Sequence, residues 1–201
     1  MRMLLPAPHE LDDVALRAAY AHRPGVRLGF IASADGASSL AGSSGALGGP
    51  GDHAVMLALR ENADAVLVGA GTVRAEGYGD LGLDEAARRR RVAAGLDPEP
   101  RLVILGHAIP ESALALDPLL LTATSAIGAL RAQYPRILCE GGPSLAGSLV
   151  DEVDELCLTL SPTLAGGDAG RILAGAPGVP RGLALEHVLE DDGFLFLRYR
   201  R

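Results

Sequence analysis

The 201-residue chain contains no tryptophan and no lysine, three phenylalanines and four tyrosines, and two cysteines. A phosphate-cradling Walker loop needs a lysine to reach the terminal phosphates. None is available, because all eighteen basic residues are arginine. With so little aromatic mass, the core must be built from Leu, Val, Ile and Ala, within a hydrophobic content of 48%. Cys139 and Cys157 both lie in apolar, strand-like runs and read as buried, reduced thiols of a cytoplasmic protein. No apolar run approaches the roughly 20 residues of a membrane span, and Met1-Arg2-Met3-Leu4 does not open a signal peptide. A net charge of −7 and a pI near 5.2 argue against nucleic acid or an anionic membrane as the main partner. The five histidines are scattered without ligand spacing, so no metal site is expected.

What is present is a pattern of short apolar runs, several of them closed by glycine. At this length one unit spanning residues 1–201 is expected, with residues 1–24 as an extension packed on it; a chain of this size buries roughly 70% of its unfolded surface. The most informative stretch is Ala63–Gly79, ADAVLVGAGTVRAEGYG. Ala65–Val68 reads as a strand buried on both faces of a parallel sheet. Gly69-Ala70-Gly71-Thr72 follows at its carboxyl end, where open α/β sheets bind ligands. Glycines there let backbone approach a phosphate, and Thr72 adds a hydroxyl at the start of a helical turn.

These residues alone leave several readings open. A dinucleotide fingerprint fails at Arg74, which stands where the third glycine belongs. The next strand, Arg101–Leu105, ends in Gly106-His107 rather than in the acid that holds a ribose hydroxyl. A methyltransferase-type glycine loop and a plain tight turn both remain. A second glycine turn, Glu140-Gly141-Gly142-Pro143-Ser144, closes the strand Arg136–Cys139 and opens a helix to about Val150, with Pro143 at its first position. Two such turns on one sheet edge suit a pyrophosphate-containing cofactor better than a mononucleotide.

Elsewhere the sequence predicts a helix over Glu10–Ala21 and a strand over Val26–Ser33 ending in Asp35-Gly36. Asp35 is either a turn residue or a carboxylate facing the crevice. Gly42–Gly51 is a glycine-rich loop, read either as a lid or as an ordinary surface loop. Asp52 is expected to cap a helix over Ala54–Asn62, with Arg60 near its end. Arg88–Arg91 is expected on the solvated face of a helix over Asp84–Ala94. Thr124 is expected to cap a helix over Ser125–Gln133, after a strand at Leu119–Ala123. Glu152–Leu160, Leu183–Leu189 and Phe194–Arg200 read as strands, the last two joined as a hairpin by Glu190-Asp191-Asp192-Gly193.

Taken together, DAVLVGAGTVRAEGYG and LCEGGPSLAGSLVDEVDELCLTLSPTLAGG (138–167) resemble the stand-alone pyrimidine reductases of riboflavin biosynthesis, in particular the actinobacterial branch with a GTVRxEGY signature. The resemblance runs from about Val26 to the C-terminus and is weakest over 81–125. It implies a dihydrofolate reductase-like fold: a three-layer α/β structure with a mixed, mostly parallel sheet and an antiparallel C-terminal hairpin. It implies NADPH-dependent reduction of a pyrimidine or pteridine-type metabolite. Cofactor contacts would fall on Ala70, Gly71, Thr72, Glu76, Gly141, Gly142, Pro143, Ser144, Leu145 and Ser148. Asp35, Ser44, Arg60 and Glu140 would line the substrate side, with Asp35 and Glu140 also serving in catalysis. A homodimer is implied as well, and an exposed C-terminal sheet edge would favour one.

The chain departs from the family pattern in ways that bear on substrate. Ala37 stands where committed members carry Lys, Ala46 where relatives often carry an aromatic, and Glu76–Leu83 has neither Pro nor Arg. Loss of two cations from a phosphosugar pocket predicts a less anionic acceptor, such as a dihydropteridine. An NADP-binding protein without turnover is the alternative from another functional class.

Overall fold

The computed structural model describes residues Met1–Arg201. Ten strands share one sheet: β1 (Arg2–Leu5), β2 (His9–Glu10), β3 (Gly25–Ser33), β4 (Ala65–Gly69), β5 (Arg101–Leu105), β6 (Leu119–Leu121), β7 (Arg136–Gly141), β8 (Val153–Ser161), β9 (Ala184–Asp191) and β10 (Phe194–Arg200). Their spatial order is β2-β1-β9-β10-β8-β3-β7-β4-β5-β6. The half from β8 to β6 is parallel and the half from β8 to β2 antiparallel. The unbroken apolar runs at the centre follow from double burial. In β4, Val66 and Val68 enter one core layer while Ala65 and Leu67 enter the other.

Helices cover both faces and complete the three layers. On one face lie α1 (Asp13–Ala19), α2 (Pro50–Glu61) and α3 (Ala70–Glu76), with α4 (Glu85–Ala93) against α2. On the other lie α5 (Ile127–Gln133) and α6 (Pro143–Ser148). The expected hairpin is present, and Asp192 and Gly193 both take positive φ, as a two-residue turn with the strands' twist requires.

Several local expectations are corrected. α1 is shorter than predicted because His9–Glu10 pairs with β1, and Asp12 caps it by accepting the Ala15 N–H at 2.8 Å. Asp52 does not cap α2: Gly49 holds that position, Pro50 begins the helix, and Asp52 falls inside its first turn. Thr124 makes no capping bond and opens a short 3₁₀ turn before α5. The C-terminal hairpin leaves no free edge, since β1 pairs with β9. Arg91 is 1% exposed rather than solvated; its Nη1 donates to the carbonyls of Arg60, Glu61 and Ala63 at 3.1, 2.8 and 2.7 Å. The arginine run therefore closes the C-terminal end of α2.

A second buried cluster joins α1 to the sheet. Arg27 on β3 and Arg198 on β10 both pair with Glu155 on β8, the latter at 2.8 Å. The two guanidinium groups also donate to the last carbonyls of α1: Arg27 to Tyr20 and Ala21 at 2.7 and 3.0 Å, Arg198 to Ala19 and Ala21 at 2.5 and 3.0 Å. Those carbonyls have no partner within the helix. Removing Glu155 leaves buried Arg27 without a carboxylate and Arg198 with only Glu186, 3.3 Å from its Nε. Glu155→Gln is expected to cost about 3–5 kcal/mol, read as a lowered urea midpoint; an unchanged midpoint would show that the cluster does not hold α1 to the sheet.

Candidate active site

β4 and β7 are parallel neighbours, and the helices that follow them depart to opposite faces of the sheet. That arrangement opens a crevice at the carboxyl ends of the strands. The two glycine turns meet there. A Cβ on Gly142 would stand 2.8 Å from the Thr72 hydroxyl oxygen, so that position admits only glycine at this spacing. Gly71, in contrast, has nothing within 4 Å of where its Cβ would project. One glycine lets the two turns touch, and the other leaves backbone bare beside the crevice.

The crevice continues into a cavity of about 940 Å³ between α2, α3 and the sheet. From α2, Asp52, His53, Met56, Leu59 and Arg60 reach it, a set spaced along one helical face. From the sheet come Gly29 and Ile31 of β3, side by side with Cys157 and Thr159 of β8. The glycine-rich loop supplies Gly42, Ser44, Gly45, Gly48 and Gly49. This loop is more anchored than its composition implies: Leu47 is 2% exposed, and Glu76 accepts bonds from Ser43 Oγ, Ser44 N and Ser44 Oγ, each at 3.0 Å.

Arg60 and Glu140 are brought into direct contact. Arg60 Nε and Nη2 donate to the two oxygens of Glu140 at 2.7 and 2.8 Å, and Nη1 donates to the Leu81 carbonyl at 2.8 Å. The Tyr78 hydroxyl donates to Glu140 Oε2 at 2.6 Å, and the Tyr78 ring centre lies 5.7 Å from the Arg60 guanidinium carbon. Burial pushes the Tyr78 hydroxyl pKa well up, and the Glu140 charge adds to it. Asp52 has a different setting. Burial raises its carboxyl pKa above the ordinary range, against smaller opposing contributions from the Thr159 hydroxyl and from His53.

The predicted site residues divide accordingly. Gly71, Thr72, Glu76, Gly142, Pro143, Ser44, Arg60 and Glu140 all line the cavity. Ala70, Gly141 and Leu145 are buried in the framework beneath it. Ser144 and Ser148 are exposed and outside the lining, with Ser148 Oγ donating to the Leu145 carbonyl. Asp35 does not line the cavity. Its carboxylate accepts from Ser33 Oγ at 2.5 Å and from the N–H groups of Ala165 and Gly166 at 3.0 and 2.8 Å. These bonds, Ser33 foremost, lower its pKa to about 2. Asp35 thus ties the end of β3 to the turn after β8.

Sequence reasoning missed Tyr78, Asp52 and Thr159. Tyr78 is one of only four tyrosines and stands within the signature stretch. For Thr159 the signal is the alternation in β8: Glu155, Cys157, Thr159 and Ser161 are buried, whereas Leu156, Leu158 and Leu160 are only partly so. Polar side chains on the inward face of a strand point to a site beneath it.

The comparisons agree with this geometry. No curated protein matches the sequence. Among solved structures, the chain is similar to a pyrimidine reductase-like protein from Corynebacterium diphtheriae, with 24% identity and a TM-score of 0.78 over 90% of this chain and 93% of that one. It is similar to RibD from Acinetobacter baumannii at 21% identity and a TM-score of 0.71, over 89% of this chain but only 58% of RibD's length. A dihydrofolate reductase from Enterococcus faecalis complexed with NADP(H) shares the fold at 13% identity and a TM-score of 0.61, over 90% of this chain and 98% of that one. The model of the RibD C-terminal domain matches residues 24–193, a span that holds every parallel strand, both glycine turns and all of the cavity lining except Tyr20 and Phe196. The chain therefore belongs to the RibD C-terminal domain family, the reductases of riboflavin biosynthesis.

Proposed function

We propose that the chain reduces a pyrimidine- or pteridine-type heterocycle with NADPH. The observation that carries this reading is the meeting of the Thr72 and Gly142 turns at the mouth of the cavity. The residues present fit the cofactor: bare backbone at Gly71, a hydroxyl at Thr72, and first-turn N–H groups of α3 and α6 that have no intrahelical partner. Gly71, Thr72, Gly142 and Pro143 would hold it, with Glu76 at its rim. When bound, the nicotinamide supplies the hydride. The chain's own residues orient the acceptor against it and exclude water. The acid that the cavity offers is Asp52, whose carboxyl can pass its proton to a ring nitrogen of the acceptor. Glu140 already accepts three bonds, and Asp35 lies elsewhere.

A cytoplasmic setting fits the two free, buried thiols, whose pKa values burial pushes up to about 12. No helix is long and apolar enough to cross a membrane. A homodimer fits the inverted alternation of β8. Leu156, Leu158 and Leu160 sit opposite Tyr199, Leu197 and Leu195 of β10 on the face away from the cavity, all of them only partly buried. A second copy laid across this apolar face would cover it.

Two outcomes are expected. Wild-type protein should oxidise NADPH with either 5-amino-6-(5-phosphoribosylamino)uracil or dihydrofolate. Gly142→Asp, which places a charge and side chain where Thr72 sits, should raise the NADPH Kd at least tenfold, about 1.4 kcal/mol. Tight NADPH binding with no turnover on either acceptor would favour the non-catalytic alternative, and unchanged affinity in folded Gly142→Asp would remove the cofactor assignment.

A raised pKa keeps the Asp52 carboxyl protonated to higher pH than an ordinary aspartate. Turnover should therefore fall as pH rises through that pKa. Asp52→Asn should lower kcat by roughly 10²–10⁴-fold and erase this limb of the profile. A mutant with the wild-type profile would exclude Asp52 as the acid.

Light scattering at micromolar concentration should give a dimer mass for wild type and a monomer mass for Leu197→Asp. A wild-type monomer would refute the second copy.

A further inference from the structure

The carboxylic, histidine and arginine side chains around the cavity are Asp52, His53, Arg60, Glu76, Asp80 and Glu140. Four are carboxylic acids, and Arg60 is the one arginine. An arginine fork facing a cavity is the usual receptor for a phosphate or carboxylate, because its parallel N–H groups match two anion oxygens. Here the fork is already filled. Glu140 takes Nε and Nη2 at 2.7 and 2.8 Å, and the Leu81 carbonyl takes Nη1 at 2.8 Å. Tyr78 holds the occupant in place with a 2.6 Å bond to Glu140 Oε2 and lays its ring beside the guanidinium. The side chains of Arg60 and Glu140 are each 8% exposed, so neither half of the pair is solvated apart from the other.

We infer that Glu140 is a specificity-determining residue: it occupies the anion-binding fork of Arg60, and so the cavity admits heterocycles without a phosphate group in preference to phosphorylated ones. A phosphate arriving at Arg60 must expel Glu140 and leave a buried carboxylate facing only Tyr78. It must also do so in a cavity where Asp52 and Asp80 have no cationic partner within salt-bridge distance. An uncharged acceptor meets neither obstacle and can donate its ring N–H groups to these carboxylates. The arrangement is built from three separate segments. Arg60 stands on α2, whose end Arg91 fixes; Glu140 closes β7; Tyr78 follows α3. Its geometry is therefore set before any ligand enters.

The inference rests on the proposed reduction only for the identity of the acceptor, and its test can be separated from that reading. Inorganic phosphate, titrated at constant ionic strength against a chloride control, is followed by thermal unfolding and by phosphorus NMR line width, with neither cofactor nor acceptor present. Phosphate seated at the cofactor turns should give wild type and Glu140→Gln the same background response, and wild type should show nothing beyond it. Glu140→Gln keeps the side chain's size, removes its charge, and should bind phosphate about tenfold or more tightly than wild type. The double variant Glu140→Gln/Arg60→Met should lose that gain. Equal phosphate binding by wild type and Glu140→Gln, or a gain that survives without Arg60, would overturn the inference. Should Glu140→Gln fail to fold, Tyr78→Phe removes one of the three bonds on the carboxylate and should give a smaller gain in the same direction; no gain there would overturn it equally. In turnover, Glu140→Gln should shift the kcat/KM ratio of the phosphoribosylamino-pyrimidine over its dephosphorylated form about tenfold towards the phosphate ester. Failure to reduce either acceptor would sink the proposed function and leave the phosphate titration to decide the role of Glu140.

Discussion

Two helices of this protein end against the sheet rather than in water, and their last carbonyls must find donors there. Arginine meets that constraint at both places. Arg27 and Arg198 close α1, and Arg91 closes α2. A guanidinium carries five N–H groups in a planar fork, so one side chain can serve several carbonyls and still reach a carboxylate. With no lysine in the chain, every permanent side-chain cation has this geometry. Because Arg91 takes the carbonyls of Arg60 and Glu61, the backbone that carries the Arg60 side chain is settled, and with it one wall of the cavity.

The site itself follows from where β7 is inserted. The chain lays down β3, β4, β5 and β6 and only then places β7 between β3 and β4. α3 leaves β4 towards one face and α6 leaves β7 towards the other. The two helices diverge beyond the touching turns, and the crevice there opens into the cavity under α2. Glu140, near the end of β7, stands where the glycine turns and the cavity meet. Its pairing with Arg60 and Tyr78 places a neutralised charge at that junction, not a free cation. The charge balance of the cavity is therefore acidic, in keeping with a chain of net charge −7.

The antiparallel half of the sheet plays the opposite part. Its inward face carries Glu155, Thr159 and Arg198, and its outward face carries leucines. A strand that buries its polar side chains has given that face to function and anchoring. The outer leucines are then left for another surface to cover.

The sequence by itself determined the architecture of the parallel half. Val-, Ile- and Leu-rich runs such as those of β4, β5 and β7, which lead straight into glycine, have no other stable home than a doubly covered sheet. It also marked Gly71, Thr72, Gly142 and Glu140 as cavity residues, because glycine turns at strand ends are local features, whereas Ser44 and Arg60 were marked by the family resemblance. What only the tertiary structure decided is how those side chains use one another. Arg60 and Glu140 are 80 residues apart, and nothing local says that the first is occupied by the second. The separate ends of β3 and β8 likewise determined that Asp35 would bind the 165–166 backbone, outside the cavity lining. Arg91 looked solvated because three neighbouring arginines share its composition, yet only its place on the inner face of α4 brings it to the carbonyls of α2. Asp52 read as a cap because a carboxylate before an apolar run satisfies a helix start, until Pro50 took that start two residues earlier and turned Asp52 into the cavity. Pairings across the sheet are decided by strand order, and strand order is written in no single segment.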